Sequence, residues 1–348
     1  MEYLFPRHEE KLPREIGVII WDVNGTITDK DRPDREVGIE ILKTAQQGIA
    51  HIFITGRDRF WLENFFLDWL ENLTVEERIE KEDAFSNLYL YPELGLLSLD
   101  PISRRPEIFS EVKSHQFVVS PTLRERIATF FLRTEDLEKV PPGEEMVPPR
   151  KYIVKDANGV EYYYPLLHDD LPPTIKLPEF IWSNTKELIG TAEVIRDASN
   201  RLILPSSKII QAGKILETFL AYSGLENAIS VSPVSTAINF TPIIDDTALD
   251  KDWSAGRALI TLAEKIGKDP KEIAKRTIAI GDGKADFLFS CPKGKGIEGE
   301  EIGFVFVGEQ FVEELERNVI WQAISPHRGP KVTLEALRII KERFSPLI

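Results

Sequence analysis

Short runs of mainly apolar residues alternate with segments of helical periodicity near both ends of the chain. The apolar runs predict strands at 16–21, 51–54, 87–91, 277–280 and 303–307. Apolar residues at helical spacing predict helices from Val37 to a stop at Gly48, and at 60–73, 255–266 and 333–344. The aromatic residues of 60–73 are expected in the core. Strands buried on both faces and alternating with helices are typical of a doubly wound parallel sheet.

The middle of the chain has a different pattern. Prolines crowd the stretch from Pro106 to Pro173, and residues 151–155 and 160–164 flank an Asp156-Ala-Asn-Gly159 turn that predicts a hairpin. Further strands are predicted at 228–232 and 237–240. We therefore predict an α/β core formed by residues 1–97 and 240–348, interrupted by an inserted α+β domain at 98–239.

Three polar loops follow predicted strands of the core. They are Asp22-Val-Asn-Gly-Thr26, Thr55-Gly-Arg57 and Gly281-Asp-Gly-Lys-Ala-Asp286. Any one of them alone is typical of an ordinary turn. Because ligands bind at the carboxyl edge of open α/β sheets, three such loops in order indicate one shared site.

The residue types of these loops suit phosphoryl transfer. Asp22 could attack phosphorus and form an aspartyl phosphate. A carboxylate repels a phosphate dianion, so a cation must lie between them, and Mg²⁺ prefers hard oxygen ligands. Asp22 and Asp282 are candidate metal ligands, and Asp286 fits a further ligand or a supporting role. The substrate phosphate is expected to contact the residues of the second loop, namely Thr55, Gly56 and Arg57.

These motifs resemble those of the haloacid dehalogenase-like phosphohydrolases, over roughly residues 14–97 and 240–348. That family has an Asp-x-Asp-Gly-Thr motif, a Thr or Ser ending a strand, a Lys ahead of a helix and a Gly-Asp-x-x-x-Asp loop. An insertion after the second motif is similar to the branch with a large α+β cap, which includes phosphosugar phosphatases and phosphomannomutases. Pro92-Glu-Leu-Gly95 stands where that branch often has a Glu-Asn-Gly turn. The resemblance implies a Rossmann-like core and a Mg²⁺ cofactor, with the Asn24 backbone carbonyl as an additional ligand.

The third motif of the family is harder to locate in this chain. Residues 250–259 are similar to its Lys-Gly-x-Ala-Leu pattern, but Ala255 occupies the usual lysine register. Lys251 lies four residues earlier, ahead of the predicted helix, and could reach the site as a point charge. A solvated surface position for Lys251 is the alternative, in which case Lys208 or Lys214 would serve.

Asn24 departs from the family pattern, which has an aspartate at this position. In the phosphatases that aspartate protonates the leaving oxygen and then activates water, and an amide can do neither. Slow hydrolysis, a long-lived phosphoaspartate, or ligand binding without catalysis would follow. The leading hypothesis is a Mg²⁺-dependent phosphatase or phosphotransferase for a small phosphorylated metabolite, with a sugar phosphate as one candidate. The alternative is a catalytically degenerate protein that binds such a ligand in a regulatory role.

Composition narrows the partners and the compartment. The net charge of −14 argues against nucleic-acid binding. One cysteine, Cys291, allows no internal disulfide and fits a reducing cytosol. The sequence has no apolar run of about 18 residues, so no membrane span is predicted. The N-terminus lacks the apolar segment of a signal peptide. A cytoplasmic protein is therefore expected, with its oligomeric state left open.

Overall fold

The structure is a computed structural model that describes residues 2–29, 32–133, 138–139, 152–155, 161–164, 177–183, 185–196, 201–234, 236–308 and 317–347. The chain divides into two compact units. The core unit comprises Met1–Phe109 and Leu249–Ile348, and the inserted unit comprises Ser110–Ala248.

The strands of the described residues are numbered in chain order. They are β1 Leu4–Pro6, β2 Val18–Trp21, β3 Thr28–Asp29, β4 Arg32–Pro33, β5 Ala50–Ile54, β6 Leu88–Tyr91, β7 Leu97–Leu99, β8 Pro106–Ile108, β9 Phe131–Arg133, β10 Glu138–Lys139, β11 Tyr152–Lys155, β12 Glu161–Tyr164, β13 Leu177–Trp182, β14 Gly190–Val194, β15 Ile229–Pro233, β16 Ala237–Ile244, β17 Thr247–Ala248, β18 Thr277–Gly281, β19 Gly303–Phe306 and β20 Val319–Ala323.

The helices are numbered in the same way. They are α1 Arg35–Gln46, α2 Arg59–Trp61, α3 Asp68–Glu77, α4 Lys81–Phe85, α5 Ser110–Lys113, α6 Gln116–Val119, α7 Pro121–Ala128, α8 Ser206–Tyr222, α9 Lys251–Ile266, α10 Pro270–Ala274 and α11 Pro330–Ile340. A π-helical segment, Leu62–Leu67, joins α2 to α3. Among these helices, none combines the length and the apolar character that crossing a membrane requires.

The core unit is built on one sheet with the order β1-β20-β19-β18-β2-β5-β6-β7-β8. The pairings from β20 through β6 are parallel, whereas β1, β7 and β8 pair antiparallel at the two sides. The chain runs from β2 outward to β5 and β6, and later from β18 outward to β19 and β20. The strand order therefore reverses between β2 and β18, which is where ligands bind in open α/β sheets.

Burial explains why the central strands read as continuous apolar runs. Every residue of β2, β5 and β18 is buried, because helices cover both faces of a parallel sheet. The predicted strands and helices of the core are all present, and the predicted fold class is confirmed.

The inserted unit has its own sheet and its own hydrophobic core. Its main sheet has the order β15-β16-β14-β13-β9, with β17 paired to β16. Ile209, Ala212 and Leu216 of α8 belong to the same apolar cluster as Ile238 and Phe240 of β16. The predicted hairpin strands form β11 and β12, which pair antiparallel. The turn at 156–160 lies outside the described residues.

The two divisions between the units differ from those predicted at 97/98 and 239/240. β7 and β8 extend the core sheet as far as Ile108, although their short, partly exposed sequences carry no buried apolar run. At the second division β16 continues without a break from Ala237 to Ile244. Because a strand pairs as a unit with its neighbours, it belongs whole to the inserted unit.

Candidate active site

Asp22 is the first residue after β2, at the point where the strand order reverses. Its backbone N–H donates to the Ile280 carbonyl of β18 at 3.0 Å, and the residue is only 6% exposed. Gly25 turns this loop with a φ of +75°, and a Cβ there would lie 2.1 Å from Asp282 Oδ2. Only glycine therefore lets the loop approach the Asp282 carboxylate so closely.

The loop after β18 carries the second and third carboxylates. Asp286 Oδ2 accepts hydrogen bonds from the N–H groups of Asp282, at 3.0 Å, and Gly283, at 2.7 Å. These bonds fold the loop back on itself and orient Asp282. Carboxylate oxygens of Asp22, Asp282 and Asp286 lie within 4.8 Å of one another. We call these three residues the carboxylate cluster.

Lys251 reaches the carboxylate cluster from α9. Its Nζ donates to Asp22 Oδ1 at 2.8 Å and also to Asp286 Oδ1. The helix begins at Lys251, four residues before the predicted start, because Asp250 caps it by accepting from the Lys251 N–H at 2.7 Å. The lysine is thus on the first turn of the helix, not ahead of it.

Burial decides between the candidate lysines. Lys251 is 7% exposed, so the alternative of a solvated surface position does not hold. Lys208 and Lys214 are exposed residues of α8 in the inserted unit, and Lys208 Nζ donates to Gln211.

The electrostatics of the carboxylate cluster are unfavourable without a further cation. Burial, together with repulsion from Asp286, raises the pKa of Asp22 to about 7. Burial raises the pKa of Asp282 to about 8, with Asp22 and Asp286 adding to the shift. Burial would lower the pKa of Lys251, but the Asp22 and Asp286 carboxylates raise it above its ordinary value. Three carboxylates against one ammonium leave two uncompensated negative charges when all are ionised.

The same chemistry fits a divalent cation. Carboxylate oxygens are hard ligands of the kind that Mg²⁺ prefers, and the uncompensated charge of the cluster equals the charge of that ion. Asp22, Asp282 and Asp286 are the residues that could hold it.

Thr55 and Arg57 follow β5, the neighbour of β2 in the sheet. The Thr55 N–H donates to the Tyr91 carbonyl at 3.1 Å, and Thr55 Oγ1 accepts from the Arg57 N–H at 3.2 Å. Arg57 Nε donates to Asn24 Oδ1 at 3.2 Å, and its guanidinium lies 5.1 Å above the Trp61 ring. The structure thus brings the first and second loops together through Arg57 and Asn24.

Gly56 leaves room beside these two residues. A Cβ at this position would meet nothing closer than Leu94 Cδ2 at 3.8 Å. A ligand oxygen could therefore approach the backbone without a steric conflict.

A turn after β6 also supports the site, and the sequence reasoning gave it no role. Glu93, Leu94 and Gly95 all have positive φ, of 51°, 57° and 83°. The Leu94 N–H donates to the Thr55 carbonyl at 2.8 Å, while Ser254 Oγ of α9 donates to the Leu94 carbonyl. The turn therefore links the second loop to the helix that carries Lys251. Gly95 and the similarity to a Glu-Asn-Gly turn were the available signals.

Solved structures provide a comparison of the fold. SMU.1108c from Streptococcus mutans UA159 matches with a TM-score of 0.51 and 13% identity, over 94% of this chain and 98% of that chain. A haloacid dehalogenase-like hydrolase from Bacteroides thetaiotaomicron matches with a TM-score of 0.49 and 17% identity, over 94% and 100%. The C-terminal domain of trehalose-6-phosphate phosphatase from C. albicans matches with 0.49 and 15%, over 94% and 92%.

No family model and no curated protein sequence matches the chain. The similarity to solved structures therefore concerns the fold. The class that results is an α/β protein with an α+β insertion and an acidic site at the reversal of its strand order. The doubly wound parallel sheet and the inserted α+β unit of this class are those that the sequence predicted.

Proposed function

We propose that the protein is a Mg²⁺-dependent phosphohydrolase acting on a small phosphorylated metabolite through an aspartyl phosphate on Asp22. The observation that carries the proposal is the contact of Lys251 Nζ with Asp22 Oδ1, at 2.8 Å, inside a cluster of three carboxylates. A nucleophile, a fixed cation and a set of hard ligands are the parts that phosphoryl transfer needs.

Each residue has a defined task in this mechanism. The Asp22 carboxylate attacks phosphorus, and the bond from phosphorus to the leaving oxygen breaks. Lys251 orients Asp22 and places a positive charge beside the transferring oxygens. The Thr55 hydroxyl and the Gly56 N–H are proposed to bind a phosphoryl oxygen, with Arg57 beside them. Bound Mg²⁺, held by Asp22, Asp282, Asp286 and the Asn24 carbonyl, would neutralise charge on the phosphoryl group.

Asn24 makes the second half of the reaction slow in this proposal. Hydrolysis of the phosphoaspartate needs a base for water, and the Asn24 amide cannot accept that proton. The phosphoenzyme should therefore persist, and transfer to an acceptor other than water becomes an available outcome. A small metabolite, such as a sugar phosphate, remains the proposed partner, because the net charge of −14 argues against nucleic acid.

Asn24 also favours a second candidate, a regulatory protein that binds a phosphorylated ligand without turnover. Incubation with p-nitrophenyl phosphate and Mg²⁺, followed by a panel of phosphorylated metabolites at several pH values, separates the two candidates. Activity that disappears in Asp22→Asn supports the enzyme. If no compound is turned over although calorimetry detects Mg²⁺ binding that Asp282→Asn removes, the regulatory candidate is favoured.

A further inference from the structure

The contact between Arg57 and Asn24 fixes the orientation of the amide group at the acid–base position. Arginine has five N–H donors and no acceptor, so the Asn24 atom that faces Arg57 Nε at 3.2 Å is the amide oxygen. Asn24 is therefore held with its NH₂ group turned away from Arg57. Neither side chain supplies a proton, because an amide is not an acid and arginine stays charged in proteins.

Among the described residues, no carboxylate forms a hydrogen bond with the Asn24 side chain. Asp58 Oδ1 accepts from the Trp61 N–H at 2.9 Å and caps α2. Asp29 is an exposed residue of β3. In the part of the chain that the structure describes, the ionisable groups grouped with Asp22 are Asp282, Asp286 and Lys251, and Lys251 holds the nucleophile itself.

We infer that this site takes phosphoryl donors whose leaving group is stable as an anion, such as phosphoanhydrides and acyl phosphates, in preference to alkyl phosphate monoesters. The inference rests on the proposed function and narrows its substrate class away from ordinary sugar phosphates. An alkoxide needs a proton as it leaves, and the pair Asn24–Arg57 has none to give. A phosphate or carboxylate leaving group needs no proton, and the Arg57 charge beside Asn24 stabilises it.

The step balances without a proton donor. The Asp22 carboxylate forms a bond to phosphorus, the bond from phosphorus to the leaving oxygen breaks, and the electron pair departs with that oxygen as an anion. Hydrolysis is then slow because no base assists it: water attacks phosphorus, the Asp22 carboxylate is released, and the water proton passes to the phosphate product.

The test is the dependence of the phosphorylation rate on the leaving group. The full-length protein with Mg²⁺ is mixed with a series of substituted aryl phosphates, with acetyl phosphate, with pyrophosphate and with an alkyl phosphate. Single-turnover kinetics and intact-protein mass report the rate of Asp22 phosphorylation. We expect the rate to fall steadily as leaving-group basicity rises. After correction for the difference in intrinsic reactivity, the alkyl phosphate should still react about 10²–10⁴-fold more slowly than acetyl phosphate, which is the contribution of the missing general acid.

The role of Arg57 is tested by the slope of that dependence. Arg57→Met should steepen the slope, because the most basic leaving groups lose the most stabilisation, whereas Arg57→Lys should restore part of it. Arg59→Met is the matched control, since Arg59 lies two residues along and its guanidinium stacks over Phe60 at 5.0 Å. A purely structural role would lower all rates of Arg57→Met by one factor and leave the slope unchanged, which would overturn this assignment.

Two further outcomes separate this inference from the proposed function. An alkyl phosphate used as fast as acetyl phosphate, with Asp22 phosphorylated by both, would overturn the inference and leave the phosphohydrolase intact. If no donor phosphorylates Asp22, both are overturned.

Discussion

Lys251 is the residue whose surroundings most constrain the candidate site. Its ammonium group is buried and contacts two of the three carboxylates, so it is the counter-charge that the structure itself supplies. Removing one partner of a buried ion pair costs about 3–5 kcal/mol of stability. Replacing Lys251 should therefore be costly where its charge is needed.

Replacement of Lys251 by Met should separate catalysis from metal binding. We expect the rate of Asp22 phosphorylation to fall by about 10²–10³-fold, because a fixed charge beside the transferring oxygens is lost. Mg²⁺ affinity should stay the same or rise, since the cluster then has no competing cation. Rapid-quench kinetics and titration calorimetry measure the two quantities. Lys265→Met, at the other end of α9, is the control and should change neither. Loss of Mg²⁺ binding in Lys251→Met would contradict this assignment.

Asn24→Asp should shorten the lifetime of the phosphoenzyme. A carboxylate at this position, held ionised by Arg57, can accept the proton of the attacking water, a contribution of about 10²–10⁴-fold. Decay of phosphoaspartate after removal of the donor measures the effect. Asn24→Ala serves as the control, because it removes the amide without adding a base. Equal decay in the two variants would show that position 24 does not limit hydrolysis.

At the scale of elements, the site depends on segments whose backbone departs from regular geometry. The turn at Glu93–Gly95 has three consecutive positive φ angles and lies between the second loop and α9. The π-helical segment Leu62–Leu67 also changes which aromatic residues face inward. Phe60 and Phe65 are 49% and 59% exposed, so the prediction that the whole aromatic stripe lies in the core was wrong for these two.

Gly95→Ala should lower both stability and activity. The residue has a φ of +83°, and an added Cβ would lie 2.5 Å from Ser254 Cβ, which forces α9 or the turn to move. We expect a loss of about 1–3 kcal/mol in the free energy of unfolding, together with slower phosphorylation because Lys251 shifts. Urea unfolding and single-turnover kinetics report the two effects.

Gly267→Ala is the matched control for that substitution. Gly267 ends the same helix with a φ of +68°, but a Cβ there would meet nothing within 4 Å. It should therefore destabilise the protein by about 1 kcal/mol through backbone strain and leave the rate unchanged. A similar loss of activity in both variants would remove the argument for the turn.

His51 links three elements of the core through a buried chain of hydrogen bonds. Trp21 Nε1 donates to His51 Nδ1 at 3.1 Å, and His51 Nε2 lies 2.9 Å from Thr44 Oγ1, which itself donates to the Glu40 carbonyl at 2.7 Å. This order of donors requires a neutral ring with its proton on Nε2. Burial accordingly lowers the pKa of His51 from 6.5 to about 3.

The neutral state of His51 should make the core less stable in acid. Between pH 6.5 and about 3 the unfolded chain binds a proton that the folded protein excludes, so the free energy of unfolding falls as the pH is lowered. The histidine should contribute up to about 1.4 kcal/mol per pH unit in that range. Urea titrations at a series of pH values measure it, with His51→Gln as a variant that cannot titrate. Parallel curves for the two proteins would contradict the prediction.

At the scale of the whole molecule, the residues proposed to act on phosphate belong to one of the two units. The core unit contains the carboxylate cluster, Lys251, the loop at 55–57 and the turn at Glu93–Gly95. The inserted unit has a separate apolar cluster and sheet.

Mg²⁺ should therefore stabilise the core unit selectively. At about one hundred times its dissociation constant, a ligand that binds only the folded state adds about 2.7 kcal/mol. Hydrogen exchange with and without Mg²⁺ should show protection gained at residues 22–26 and 281–286, and little at α8. Asp282→Asn should lose most of this gain. Equal protection in both units, or in the variant, would argue against the proposed metal site.

The local pattern of apolar and polar residues was sufficient to predict the central strands and helices of the core unit. Apolar runs identified β2, β5 and β18, because a strand buried on both faces has to be apolar throughout. The shared site formed by the polar loops after these strands was also predictable, because the carboxyl ends of parallel strands lie at one edge of the sheet. The short strands β7 and β8 escaped prediction because they lack such a run.

Tertiary structure decided the contacts that give the loops their chemistry. The sequence by itself determined that Asp22, Asp282 and Asp286 follow buried strands, but it left three lysines open and said nothing of a partner for Asn24. The packing of α9 places Lys251 against Asp22, and the pairing of β5 with β2 places Arg57 against Asn24. Periodicity reports which face of an element is buried, whereas contacts between residues far apart in sequence depend on how the elements pack.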